Sequence, residues 1–439
     1  MSVRTDVHAL NGSAQAMMLR AMTTAGLVLM TAGLPASGIP MVGETRVAAE
    51  VSWADPVEEL RAYLAKPAAE RGKIAEQEFA KAGLTRVQAQ EATKLLWDDY
   101  AARIRADRGE EWEKKSITID GKTMKFDYRI FGEAADLGRS MFISMHGGGG
   151  APPEVNEQQW KNQIGLYTPE EGIYVAPRAP TDTWNLWHEG HIDGLFDRII
   201  TDAVVFENVD PDRVYLMGYS AGGDGVYQLG PRMADRWAAA AMMAGHPNEA
   251  QPDNLRNVPF VINMGGDDKA YNRNTVAAEW GKKLDDLRAA DSEGYEHEVH
   301  IRPGLGHWMK REDASAVPWM MQYRRNAWPT RIVWRQDDVL QGRMYWLERD
   351  LEGAKGGDTL IVSRKGQDFA IEKSEGVAKF SILLSDDVVN MDEPIRVLYG
   401  EKVVFEGKVE RTAVGLSRTL EGRGDRNLMF AGKVEVELK

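Results

Sequence analysis

Ser220 lies between glycines in Gly218-Tyr219-Ser220-Ala221-Gly222. The apolar run Val214-Tyr-Leu-Met217 leads into it, and Gly223 and a stretch able to begin a helix follow. The G-x-S-x-G spacing is that of a strand–turn–helix nucleophile elbow. In so tight a turn the backbone crowds at the flanking positions, and a Cβ there would clash. The turn would lift the Ser220 hydroxyl clear of a sheet and leave the Ala221 N–H free to face a developing oxyanion. Taken alone, the pentapeptide reads equally well as a Gly-rich turn after a buried strand. The residues elsewhere in the chain decide between the two.

His146-Gly147-Gly148-Gly149-Gly150 closes a second apolar strand, residues 141–145, about seventy residues before Ser220. Bare glycines let the chain bend so that an N–H of Gly147 or Gly148 can serve as the second oxyanion donor. A phosphate-binding loop is disfavoured, because no Gly-Lys-Ser/Thr follows. Past the strand that ends at Met264 comes Gly265-Gly266-Asp267-Asp268. An acid at the carboxyl end of a strand can accept a hydrogen bond from an imidazole and hold its tautomer. Spacing from the glycines favours Asp268, with Asp267 as the alternative and a helix N-cap as the plain role for one of them. Gly304-Leu305-Gly306-His307 follows the next strand, and an imidazole in such a loop can act as general base and then protonate a leaving group. A lone histidine would ordinarily be a surface residue. Here Ser220, Asp268 and His307 follow successive strands in the order Ser–Asp–His.

One further cluster, Trp184-Asn-Leu-Trp187-His188-Glu189-Gly-His191, precedes an apolar helical pattern. Its spacing is not His-Glu-x-x-His, and no third ligand set accompanies it, so a metal site is disfavoured. Trp184, Trp187 and His188 suit the wall of a substrate cleft, and so does Trp308 beside His307; plain packing of the tryptophans is the competing reading.

Strands alternating with helices must position these groups. From Ser116 the period is two: Ile117 and Ile119 lead to Asp120-Gly121, and Met124, Phe126, Tyr128 and Ile130 follow, which reads as a hairpin. Beyond it the strands are near-continuous apolar runs, as in a mostly parallel sheet covered by helices on both faces. Residues 51–114 read as a helical extension. It opens at Asp55-Pro56, an N-cap followed by proline, and its second helix opens at Thr85 with Gln88 three residues on, a capping box. Residues 115–328 carry all the chemistry. Residues 329–439 turn to short alternating runs separated by turn signals, with a helix near 414–421, and read as a small β-rich domain of sandwich type.

With 439 residues, 43% of them hydrophobic, the chain can build a large core. A formal charge of −13 argues against nucleic acid or an anionic membrane as the main partner. The absence of cysteine excludes disulfides, thiolate metal sites and a cysteine nucleophile. Residues 1–50 resemble an export signal: Arg4 and Arg20 precede an apolar stretch, and small residues follow at 36–38 and 47–49. That points to a secreted or periplasmic protein with no integral membrane segment once the signal is removed.

Residues 115–325 resemble an α/β-hydrolase-fold serine esterase of the polyhydroxybutyrate-depolymerase-like and feruloyl-esterase-like kind. The likeness rests on 146–150, on Asp210-Pro-Asp-Arg-Val-Tyr-Leu-Met-Gly-Tyr-Ser-Ala-Gly-Gly223, on 265–268 and on 304–307. It implies hydrolysis of a small-molecule or polymeric ester through an acyl-enzyme, with Ser220, Asp268 and His307 as triad and no metal or organic cofactor. A prolyl-oligopeptidase-like peptidase shares the fold, but this chain has no room for a large N-terminal propeller. A scaffold kept for binding alone is the third reading, and an intact triad argues against it.

Overall fold

The computed structural model describes residues 55–438; the proposed export signal lies outside them. The first helices form as their caps dictate. Asp55 accepts the Val57 N–H at 2.9 Å and starts α1 (Pro56–Leu64). A short α2 (Glu78–Lys81) follows, and Thr85 and Gln88 complete the capping box of α3 (Arg86–Glu113). Leu96, Tyr100, Ile104 and Trp112 of α3 are buried. The far end of α3 is tied to the helix preceding the elbow strand: Arg198 forks onto Glu111 at 2.7 and 2.8 Å, and the Trp112 indole donates to Glu207 at 3.0 Å.

The hairpin is present as β1 (Ser116–Ile119) and β2 (Lys122–Phe131), pairing Ile119 with Lys122. Asp120 and Gly121 both take positive φ, 49° and 75°, the requirement of the two-residue turn that matches the twist of the flanking strands. The chain then runs β3 (Arg139–Met145), α4 (Pro153–Gln163), β4 (Gly172–Arg178), α5 (His191–Phe206), β5 (Val209–Tyr219), α6 (Ala221–Arg232), β6 (Ala239–Met243), β7 (Phe260–Gly265), α7 (Arg273–Ala290), β8 (His297–Arg302) and α8 (Ala316–Met320). The strands form an eight-stranded sheet in the order β1-β2-β4-β3-β5-β6-β7-β8. From β4 to β8 along that order every pairing is parallel, whereas β2 runs antiparallel to both neighbours. Every residue of β6, Ala239-Ala-Ala-Met-Met243, is wholly buried, and the small side chains of its three alanines let helices approach the centre of the sheet closely.

After the sheet come β9 (Arg331–Arg335), β10 (Arg343–Met344), β11 (Leu347–Glu348), β12 (Thr359–Lys365), β13 (Asp368–Glu375), β14 (Lys379–Leu384), β15 (Ile395–Tyr399), β16 (Lys402–Gly407), α9 (Ala413–Arg423) and β17 (Gly432–Glu437). They make a sheet β10-β11-β14-β17 and a sheet β16-β15-β13-β12-β9, and Trp346 beside the first touches Phe369 of the second at 5.4 Å. Where the sequence reads as one strand over 343–347, Tyr345 at φ 53° turns the chain back, so that Met344 pairs with Leu347. A buried ionic cluster joins this region to the end of the larger sheet. Arg325 donates to Asp212 and to Asp425, each at 2.7 Å, and to the Asp235 carbonyl at 2.8 Å. Burial alone would raise the Asp425 carboxyl, yet Arg325 and Arg236 hold it down at about 2.

Candidate active site

Ser220 follows β5 with φ 57° and ψ −120°, a conformation that non-glycine residues adopt only where the surroundings enforce it. The enforcement is visible. Its N–H donates to the Met243 carbonyl at 2.9 Å, and the Asp224 N–H returns to the Ser220 carbonyl at 3.0 Å. A Cβ on Gly218 would lie 2.2 Å from the Gly222 oxygen, and one on Gly222 would lie 2.1 Å from the Met145 oxygen. The glycines are therefore required by close approach, not by positive φ. Helix α6 begins at Ala221, so the Ala221 N–H is one of the amides that a helix start leaves without an internal partner.

The loops after β7 and β8 bring the acid and the base to that hydroxyl. His307 Nε2 lies 2.9 Å from Ser220 Oγ, and His307 Nδ1 lies 2.6 Å from Asp268 Oδ2. The Asp268 side chain is buried, whereas Asp267 is exposed and contributes its backbone N–H to the Leu305 carbonyl at 2.8 Å. A carboxylate on Nδ1–H leaves the Nε2 lone pair facing the serine hydroxyl, the tautomer that a general base requires. The two loops touch at backbone level: a Cβ on Gly265 would lie 2.1 Å from the Gly306 oxygen. Tyr219, inside the elbow, adds a clamp. Its hydroxyl donates to the His307 carbonyl at 2.7 Å and accepts the Met309 N–H at 3.0 Å.

The Gly-rich loop after β3 passes directly over the serine; a Cβ on Gly147 would sit 3.1 Å from the Ser220 Cβ. Gly148, Gly149 and Gly150 all have positive φ, so only glycine follows this path without strain. Two buried side chains hold the loop. Asn156 accepts the Gly149 N–H at 2.8 Å and donates to the Ala151 carbonyl at 3.1 Å and to Asp182 at 2.9 Å. His146 bonds the Gly147 carbonyl through Nδ1 at 2.6 Å and accepts the Ala179 N–H on Nε2 at 3.1 Å. Burial pushes the His146 ring down to about 4, so it stays neutral and keeps both bonds. The N–H groups of Gly149 and Gly150 are thus spent within the protein. Those of Gly147, Gly148 and Ala221 donate to no protein acceptor among the described residues. Nothing in the local sequence pattern singled out Asn156 or Asp182, which stand 26 residues apart.

The four cleft candidates separate. Trp184 is 62% exposed and borders a cleft over Ser220, and Trp308, 52% exposed, borders another. Trp187 is wholly buried and donates to the His146 carbonyl at 2.9 Å, beneath the Gly-rich loop and not in either cleft. His188 is also buried, with its ring against Trp184 at 5.4 Å and its carbonyl accepting from Arg232. The Trp184 cleft further exposes Asp224, His246 and Arg273. Asp224 accepts the His246 N–H at 2.6 Å, and burial raises its carboxyl to about 6 although that bond and Arg273 oppose the rise.

A mostly parallel eight-stranded sheet with one antiparallel strand near its edge, a serine elbow at its centre and His and Asp on the following loops define an α/β-hydrolase fold. No protein-family model matches the chain. A curated relative, "Putative esterase NocK" of Nocardia uniformis subsp. tsuyamanensis, is 26% identical over 150 residues, covering 31% of this chain and 44% of that protein. The chain thus spans less than half the length of the curated relative it matches. Among solved structures, a thermostable esterase aligns with TM-score 0.37 and 16% identity over 48% of this chain and 62% of its own. The feruloyl esterase module from Clostridium thermocellum complexed with sinapinate aligns with TM-score 0.35 and 16% identity, over 47% and 87%. A carboxylesterase from Mesorhizobium loti aligns with TM-score 0.33 and 18% identity, over 47% and 98%. Likenesses this distant bear on neither activity nor substrate.

Proposed function

We propose that the protein is a serine carboxylic-ester hydrolase. The observation that carries this reading is the unbroken relay from Ser220 Oγ through His307 to the buried Asp268, at 2.9 and 2.6 Å, beneath backbone N–H groups that have no partner among the described residues. Ser220 Oγ attacks the ester carbonyl as its proton passes to His307 Nε2. The carbonyl oxygen becomes an oxyanion held by the Ala221 N–H and by that of Gly147 or Gly148. Asp268 holds the ring orientation and stabilises the imidazolium. Collapse of the tetrahedral intermediate breaks the bond to the alcohol oxygen, which takes the proton from His307. Water then repeats the sequence on the acyl-enzyme, releasing the acid and restoring Ser220.

In this reading residues 51–114 and 329–439 are helical and β-rich scaffolding on a catalytic region at 115–328, and residues 1–50 direct export. Hydrolysis of short-chain nitrophenyl esters, together with covalent labelling by a fluorophosphonate, tests the assignment. Ser220→Ala should remove labelling and lower kcat by about a millionfold, leaving only the residual rate that binding and the oxyanion donors sustain. Undiminished hydrolysis by the folded Ser220→Ala protein overturns the reading.

A further inference from the structure

Two clefts meet at the Ser220 hydroxyl, and they differ in chemistry. One, of about 370 Å³, is bordered by Trp184, Ala221, Asp224, His246 and Arg273. The other, of about 490 Å³, has Leu166, Tyr219, His307 and Trp308 on its walls together with the amides of Gln159, Asn162 and Gln163, and no ionic side chain besides the imidazole. Gly148 and Ser220 belong to both, so a planar ester laid against the Gly-rich loop sends one half into each.

Proton transfer decides which half goes where. The alcohol oxygen leaves only when it receives the proton held on His307 Nε2, and that transfer requires hydrogen-bond reach. His307 opens into the Trp308 cleft and does not border the other. The leaving alcohol therefore occupies the aromatic-walled cleft of Tyr219 and Trp308, and the acyl group, on the opposite side of the carbonyl carbon, extends toward Arg273.

Arg273 is an anomaly in that position. Its side chain is only 13% exposed, and it makes no hydrogen bond to any described residue. Its nearest carboxylate, Asp268 Oδ1, lies at 3.9 Å, beyond hydrogen-bond range, and Asp268 is committed to His307. Its Nε is buried with no acceptor. The guanidinium rests near the ring of Tyr271, 4.8 Å from the centroid, and Tyr271 is 76% exposed at φ 55°. Nε is thus stranded, and the two terminal amino groups, which line the cleft, have no protein acceptor among the described residues, so an oxygen entering the cleft would be their first partner other than water. Two carboxylates already stand around it, Asp268 at 3.9 Å and Asp224 on the wall of the same cleft, and a third would meet their repulsion, so the oxygen that fits is an uncharged one.

Resting on the esterase reading above, we propose that Arg273 is the acyl-specificity residue. It selects acyl groups that carry an uncharged hydrogen-bond-accepting oxygen, while the Trp308 cleft takes an apolar or aromatic alcohol. Acyl groups without that oxygen leave the guanidinium unpartnered and are hydrolysed less efficiently.

The test uses the full-length protein and two isosteric phenyl esters, β-methoxypropanoyl and pentanoyl. The methoxy-to-pentanoyl ratio of kcat/KM in wild type, compared with Arg273→Met, cancels the intrinsic reactivity difference. The ratio should fall about tenfold in Arg273→Met, the loss of one charge-assisted hydrogen bond, and recover in part in Arg273→Lys. A succinyl monoester should be a poorer substrate than the methoxy ester. Trp308→Ala should lower the phenyl-to-methyl alcohol preference and leave the acyl ratio unchanged. An acyl ratio unmoved in Arg273→Met, an alcohol preference unmoved in Trp308→Ala, an exchange of their effects, or a preference for the succinyl ester would each overturn the proposal. Wild type that neither labels with fluorophosphonate nor turns over any ester would instead sink the esterase reading on which it rests.

Discussion

Replacing Asn156 by alanine tests whether the Gly-rich loop is held in place by a side chain that touches no reacting atom. The amide makes three bonds: it accepts from Gly149 and donates to Ala151 and to Asp182, at 2.8, 3.1 and 2.9 Å. Alanine leaves the Gly149 N–H without its acceptor, while Asp182 Oδ1 keeps its bond from Arg178. A buried group stranded in this way costs about 1–3 kcal/mol, enough to let the loop relax away from Ser220. If relaxation withdraws the Gly147 or Gly148 N–H from the oxyanion, the loss is that of one oxyanion donor, about 3–4 kcal/mol or 10²–10³ in rate. Steady-state kinetics on a nitrophenyl ester should show kcat down by about two orders of magnitude with KM nearly constant, because the contact acts in the transition state. Asn156→Asp separates positioning from folding. It keeps an acceptor for Gly149 but sets a carboxylate against Asp182, so it should lose less kcat and more thermal stability than the alanine variant. Wild-type kcat in Asn156→Ala, with hydrogen exchange showing the Gly149 amide released, would refute this reasoning.

Three other outcomes follow from the same structure. Asp268→Asn keeps the shape of the site but presents an amide to His307 Nδ1 and favours the wrong tautomer; kcat should fall about ten-thousandfold with little change in thermal unfolding. His146 is held at about 4 against an ordinary 6.5, so the folded protein binds fewer protons than the unfolded chain between those values. Its contribution, roughly 3 kcal/mol by that difference, is present above pH 6.5 and lost as pH falls through 4. Asp224, raised to about 6, acts in the opposite sense: what it adds is present below its ordinary carboxylate value and lost as pH rises through 6. Denaturant titrations of wild type and His146→Gln across pH 4 to 7 should therefore differ most at the upper end, and parallel curves would contradict the assignment. Arg325→Met takes the closest cation from Asp212 and Asp425, leaving Asp425 with Arg236 at 3.5 Å and Asp212 with the Asn427 amide. It should cost about 3 kcal/mol in urea unfolding, whereas a change below about 1 kcal/mol would mean that these remaining partners and water suffice.

Much of the site was legible before any fold was drawn, because its demands are local and steric. Gly218 and Gly222 are imposed by contacts with the turn and with the neighbouring strand, and no other residue type fits there. Asp120-Gly121 specified its hairpin through positive φ alone. What escaped were residues whose role comes from a partner far along the chain. Asn156 and Asp182 are separated by 26 positions and meet only because β4 lies beside β3. The two tryptophans of 184–187 have the same composition and the same neighbourhood in sequence, yet one is buried under the loop and the other faces solvent.

By itself, the chain of residues determined which groups stand as candidates for the chemistry, their order, and the elements that hold them, since caps, turns and crowded glycines act over a few positions. Tertiary structure alone decided the distances. It set Asp268 and not Asp267 on the imidazole, because the crowding of Gly265 against Gly306 orients that loop. It left the Arg273 side chain without an acceptor among the described residues and opened His307 to only one of the two clefts. It also drew Arg325 and Asp425, 100 residues apart, into one buried ion pair. Such pairings depend on where a whole sheet carries its loops, which no local pattern records.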